Sequence, residues 1–155
     1  IISYNYGARD RHRVSGAIRF GMAAAVATAF AGLMLLWLFS APLLKLCFQA
    51  GEAALALGIP SLRMTAVAFP IAAVSIIYSA AFQALGRSRY SLVIALLRQI
   101  ILLLPIALVL VRLCPEWSFS AFPLAEALTC LLALVLYRRL YTRRIATLDQ
   151  GNIEI

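Results

Sequence analysis

Acidic side chains are scarce in this chain of 155 residues: Asp and Glu number 6 against 14 Lys and Arg, and 13% of all residues are charged. That is roughly half the charge of an ordinary water-soluble domain, which excludes one. There is one histidine, His12, set among arginines, and the three cysteines, Cys47, Cys114 and Cys130, show no C-x-x-C spacing. A metal site and a Cys/His catalytic pair therefore lack parts, and the thiols read as free and structural. No Ser/His/Asp set, paired carboxylates, phosphate loop or zinc motif is present, so an enzyme is not expected. The opening stretch from Ile1 to Tyr6 has no basic leader ahead of a cleavable apolar core and does not begin with Met. The chain is accordingly expected to be a piece of a longer protein.

What is abundant is grease. The hydrophobic set makes up 64% of the chain and the mean hydropathy is +0.94. A bilayer core of about 30 Å needs roughly 20 apolar residues in a helix, so the charges serve as a ruler. Residues 20–44 and 64–86 are free of charge; residues 90–111 carry only Arg98, and residues 117–137 only Glu126. Four helical spans are predicted, near Ile18 to Leu38, Met64 to Leu85, Ser91 to Val111 and Pro123 to Tyr141. Residues before Gly7 read as the tail of a fifth helix, with Gly7 as its left-handed cap. Nothing alternates with period two, which argues against a barrel. The connection from Ala41 to Leu62 is predicted to hold a small interfacial helix, Gln49 to Leu57, stopped by Gly58 and Pro60. The fold class is thus an all-α integral membrane bundle, with a mobile polar tail over 146–155.

Lys and Arg of short loops mark the cytoplasmic side. With the amino-terminal loop inside, that side receives Arg9, Arg11, Arg13, Arg19, Arg87, Arg89, Arg138, Arg139, Arg143 and Arg144, and the other side Lys45, Arg63 and Arg112. The carboxy terminus is then cytoplasmic, and the pI of about 10.1 reflects a basic rim at anionic lipid rather than nucleic-acid binding, for which no motif exists.

Within the spans, Gly21, Ala25 and Ala29 recur every four residues and let another helix approach. Ser75, Ser79 and Gln83 recur likewise, with Tyr78 and Phe82 beside them, and Pro70 frees the carbonyl of Ala66 and bends the helix. That face suits a cavity for amphipathic organic molecules, although membrane serines also bond their own backbone. Arg98 lies about 10 Å inside its span by helical rise and serves either as a snorkelling anchor or as a contact for substrate or gating. Glu126 is the weaker candidate for ion coupling: with Ser120 and Pro123 opening its helix, it falls in the first turn near the outer edge. About 15 Å of axial distance would then separate it from Arg98, too far for an ion pair. Pro105 kinks the third span and frees the carbonyl of Ile101.

Ile1-Ile2-Ser3-Tyr4-Asn5-Tyr6-Gly7-Ala8-Arg9, Phe82-Gln83-Ala84-Leu85-Gly86-Arg87, Leu97-Arg98-Gln99 and Phe122-Pro123-Leu124-Ala125-Glu126, in this order and spacing, resemble the multidrug and toxic compound extrusion (MATE) family, above all its bacterial multidrug exporters. The resemblance covers residues 1 to about 145. It implies a twelve-helix transporter of two six-helix lobes that opens alternately to each side of the bacterial inner membrane. Such a transporter exports organic cation drugs against Na⁺ or H⁺. The present spans would be helices nine to twelve, over 1–145, partnered by the amino-terminal lobe of the same chain. Met64 to Gly86 lacks the carboxylate that some members use in the tenth helix, so the coupling-ion site would lie outside this stretch and no cofactor is implied. The tenth helix lines the family's cavity, which raises Ser75, Tyr78, Ser79, Phe82 and Gln83 as substrate-pathway residues, with Gln83 alternatively capping its helix. Two rival readings are a flippase for lipid-linked sugars, which would want a row of arginines, and a membrane subunit that only anchors a partner.

Overall fold

The computed structural model describes residues 1–48 and 51–146. Among these residues there is no strand. The elements are α1 (Ile2–Gly7), α2 (Arg11–Phe48), α3 (Glu52–Ala66), α4 (Ala68–Ala84) and α5 (Ser88–Leu96). A π-helical segment (Leu97–Leu103) carries α5 into α6 (Leu104–Leu113); a 3-10 turn (Pro115–Ser120) leads to α7 (Ala121–Leu140), which ends in a π turn (Tyr141–Ile145). Four stretches are long and apolar enough to cross a membrane: Arg11–Cys47, Glu52–Ala84, Ser88–Leu113 and Pro115–Leu140. The four predicted spans fall inside these, to within one residue at Leu85 and Tyr141. The predicted tail from residue 147 onward, and the start of the predicted small helix at Gln49, lie outside the described residues.

α4 is the central rod, packed between α2 and α7, with α5 alongside. Small residues make these crossings close. A Cβ on Gly21 would sit 4.0 Å from Ile77 Cδ1 and one on Gly32 4.0 Å from Phe69 Cδ2, so the small-residue side of α2 meets α4. Ala73, Ala121, Ala125, Thr129 and Ala133 are buried on α4 and α7. Between membrane helices such contacts substitute for a hydrophobic drive that lipid cannot supply. Leu38, Leu92, Leu108 and Leu131 stand exposed, as lipid-facing side chains do.

Three local expectations are corrected. The helix α1 continues through Gly7, and the left-handed position falls on Arg9, at φ 58°. Hydrogen bonds on both sides hold it there: the Asp10 amide donates to the Asn5 carbonyl at 3.0 Å, and Asp10 Oδ1 accepts the Arg13 amide at 2.9 Å, capping α2. The second correction concerns Gly58 and Pro60, which do not stop a helix. α2 runs on to Phe48, kinked at Phe39 ahead of Pro42, and α3 passes through both residues to Ala66. Packing overrides the breakers, because Gly58 lets α3 lie on α2 where a Cβ would come within 3.0 Å of Leu44 Cδ1. The far end is clasped by Trp37 Nε1 donating to the Arg63 carbonyl at 3.1 Å and Arg63 Nε donating to Ser40 Oγ at 3.1 Å.

The third correction concerns the prolines. The bend expected from Pro70 falls at Val67, a one-residue interruption with helical dihedrals between α3 and α4, next to the Ala66 carbonyl that Pro70 leaves free. Near Pro105 the distortion lies upstream, as the π segment Leu97–Leu103. In a register of i to i+5 the amide due to Ile101 is that of Ile106, which sidesteps the one Pro105 lacks. α4 ends in a Schellman motif with Gly86 at φ +70°: the Arg87 amide donates to Phe82 at 2.7 Å and the Gly86 amide to Gln83 at 3.0 Å.

Candidate functional site

Three helices bring Ser75, Arg98 and Glu126 together. Arg98, on the π segment, donates from Nη2 to Ser75 Oγ of α4, and its Nε lies 3.3 Å from Glu126 Oε1 of α7. Ser75 passes its own proton to the Ala72 carbonyl at 2.9 Å. The side chains of Arg98 and Glu126 are 18% and 13% exposed, so the pair is shielded. This overturns the expected separation of Arg98 and Glu126. The 3-10 turn Pro115–Ser120 takes up the start of the fourth span, so Glu126 is in the second turn of α7 and deeper than a first-turn residue. Counted from the end where Leu85 and Leu140 share one core, Arg98 stands about 15 Å from Ser88 and Glu126 about 21 Å from Leu140, a gap two long side chains close.

The predicted polar line of α4 holds as a face, but that face meets another helix. Gln83 Nε2 donates to Ser91 Oγ at 2.7 Å, tying α4 to α5. Ser79, Gln83, Ser91, Arg98 and Gln99 line a cleft of about 310 Å³ between them. Ser75 is fully buried beneath Arg98.

The aromatic pair divides. Phe82 is fully buried, in a core with Ile94 and Ala133. Tyr78 turns the other way, into a groove of about 790 Å³ lined with Ile18, Arg19, Met22, Val26, Phe30 and Tyr137. There it stacks on Tyr137, with ring centroids 4.4 Å apart and planes at 25°. Tyr137 leans in turn on Tyr141, at 6.0 Å, and the Arg11 guanidinium stands 5.8 Å over the Tyr141 ring. Tyr137 is absent from the sequence-based candidates, because spacing within one span carries no signal of its cross-helix partner. Chemically, the groove offers apolar walls and one stacked aromatic platform, able to hold planar or cationic organic molecules without a fixed shape. Among the described residues no group of three or more His, Cys, Asp or Glu is placed to hold a metal ion.

No curated protein matches the chain. A solved chain described as "protein A" is similar to it, with 29% identity and a TM-score of 0.80, over 92% of this chain and 31% of that one. The present chain thus spans about a third of that relative's length. The MatE family profile matches residues 1–109, which takes in the groove residues of α2, Tyr78 and Arg98. Together with four bilayer-length apolar helices, this makes the chain a multi-pass membrane protein, and it belongs to the MatE family, a family of membrane transporters.

Proposed function

We propose that the chain, over 1–145, is the carboxy-terminal lobe portion of a multidrug exporter: helices nine to twelve, preceded by the end of helix eight. The exporter moves structurally varied, mostly cationic organic compounds across a bacterial inner membrane against Na⁺ or H⁺. The observation that carries this reading is the groove between α2 and the Tyr78–Tyr137 stack. Its walls are apolar but for Arg19 and the two tyrosine hydroxyls, and the stacked rings present π faces that attract a cation once water is excluded. The partner that completes the cavity is the amino-terminal lobe. Rocking of one lobe against the other would expose the groove to each side in turn. Ser75 and Gln83 tie α4 to the third span by hydrogen bonds, and Ser79 and Gln83 line the smaller cleft, so in this reading the first substrate contacts are assigned to Tyr78 and Tyr137.

The flippase reading needs a row of arginines toward the cavity; Arg98 is engaged by Glu126 and Ser75, which leaves Arg19 as the arginine lining the groove. The test is accumulation of a fluorescent organic cation in everted vesicles carrying the complete transporter. An imposed Na⁺ or H⁺ gradient is expected to drive uptake, and Tyr78→Ala or Tyr137→Ala to change the rank order of substrates. Equal uptake with and without either gradient refutes export.

A further inference from the structure

We infer that Glu126 is a proton-binding site of this lobe, and that Arg98 is the internal counter-charge which its protonation sets free. A pair that serves only as a strut has both partners fully satisfied, because each unpaired buried polar atom is costly and more so in lipid. This pair is not built that way. Glu126 Oε2 is buried with no hydrogen-bond partner, and the Arg98 Nε contact at 3.3 Å lacks hydrogen-bond geometry. One carboxylate oxygen is held by charge alone and the other is unspent.

The neighbours decide what the unspent oxygen can take. Of the titratable groups on elements packed against α7, Arg98 is the one that touches Glu126. α4 contributes Tyr78, stacked on Tyr137, and no charge. α5 offers Arg89 and Tyr90, α6 Arg112, the 3-10 turn Glu116 and α3 Glu52 and Arg63, all of them exposed; the π turn after α7 adds Tyr141, which leans on Tyr137, and Arg143 and Arg144 follow it in sequence. On α7 itself Cys130 follows one turn later, and Arg138 and Arg139 lie exposed at the far end. A metal ion at Oε2 would face a guanidinium, and the carboxylates of these neighbours, Glu52 and Glu116, are exposed rather than paired with Glu126. A proton needs only the one oxygen. Moving from water to Oε2, it turns the carboxylate into a neutral acid, and the Arg98–Glu126 cluster passes from zero net charge to one positive charge.

The structure also holds the means of answering that change. Arg98 keeps its bond to Ser75 Oγ when Glu126 is neutral, so it has a second anchor on α4. It sits on the π segment, where one extra residue is accommodated in the helical register. Relaxing that segment to α-helix rotates Arg98 about the helix axis and away from α7. Proton uptake would thus loosen the third span from α7 and leave a positive charge beside the cleft. In the export cycle this would act on the drug groove only indirectly, by shifting α7 and with it Tyr137. The inference rests on the transport reading only for that consequence, and not for where the proton binds.

The test is hydrogen–deuterium exchange of the complete transporter in nanodiscs without drug, followed from about pH 9 to about pH 5 and corrected for intrinsic rates. Amides of 97–103 are expected to open about tenfold more at the acid end. Glu126→Gln is expected to show the acid pattern at every pH. Should that variant not fold, Glu126→Asp retains the acid with a shorter reach and is expected to shift the midpoint. Protection of 97–103 that is independent of pH in the unaltered protein overturns the inference, as does an unchanged transition in either variant. Because no drug is present, intact drug transport with a pH-independent segment refutes this site alone. A pH-dependent segment without gradient-driven uptake refutes the export reading alone.

Discussion

Single side chains in α4 have separable duties, and substitution should separate them. Phe82 fills a fully enclosed space, so Phe82→Ala opens a cavity expected to cost about 3–5 kcal/mol. The purified protein should unfold at a lower temperature while the surviving folded fraction keeps its substrate ranking. Tyr78→Phe retains the stack on Tyr137 and should leave both properties close to unchanged. Gly86, in the left-handed region, should resist replacement differently: Gly86→Ala is expected to lose about 1 kcal/mol through backbone strain, seen as a small drop in thermal midpoint. At this scale the sequence was informative about faces and silent about neighbours. Four-residue spacing correctly placed Ser75, Ser79 and Gln83 on one side of the helix. It could not say that Ser75 lies under Arg98, that Gln83 reaches Ser91, or that Phe82 points into protein while Tyr78 points into the groove.

Between elements, the exchange of Arg98 for alanine is the most informative change. It leaves Glu126 buried beside no cation, and breaking such a pair typically costs about 3–5 kcal/mol. The paired replacement Arg98→Met with Glu126→Leu removes both charges together and is expected to restore thermal stability in detergent to near the starting value. A double variant as unstable as Arg98→Ala would show that shape, not charge, holds the third span on α7. The contact was hidden from the sequence by where helices begin. Ser120 and Pro123 look like an opening turn, yet a 3-10 turn already occupies Pro115–Ser120, and each extra residue lowers Glu126 into the span. Likewise Pro105 announces a distortion, but its form and place, seven π-helical residues on the amino-terminal side, depend on how Arg98 is held by its neighbours. Gly58 and Pro60 mislead for a related reason, since propensity is a weak term against close packing on Leu44.

As a whole, the molecule was the most legible part, because bilayer thickness and charge spacing act on the entire chain at once. The number and order of the four spans follow from where charges are absent, whereas the first two run well beyond their charge-free stretches, over Arg11–Cys47 and Glu52–Ala84. The proposed sidedness is checked by single-cysteine labelling: positions 88 and 146 should react with an impermeant maleimide only from the cytoplasmic face, and position 63 only from the opposite one. The second span, Glu52–Ala84, turns at Val67, and α2 is two helical pieces joined at the non-helical Phe39; its charge-free stretch, residues 20–44, measures about 38 Å by helical rise. That exceeds the hydrocarbon depth of about 30 Å by roughly a quarter. Its surplus must be absorbed by tilt, by the bend at Phe39 or by deformation of the surrounding lipid. The groove wall formed by α2 is therefore coupled mechanically to acyl-chain length. Reconstitution in a series of short- to long-chain phosphatidylcholines should change turnover progressively, with the membrane itself acting as a tuning screw on the drug-binding face.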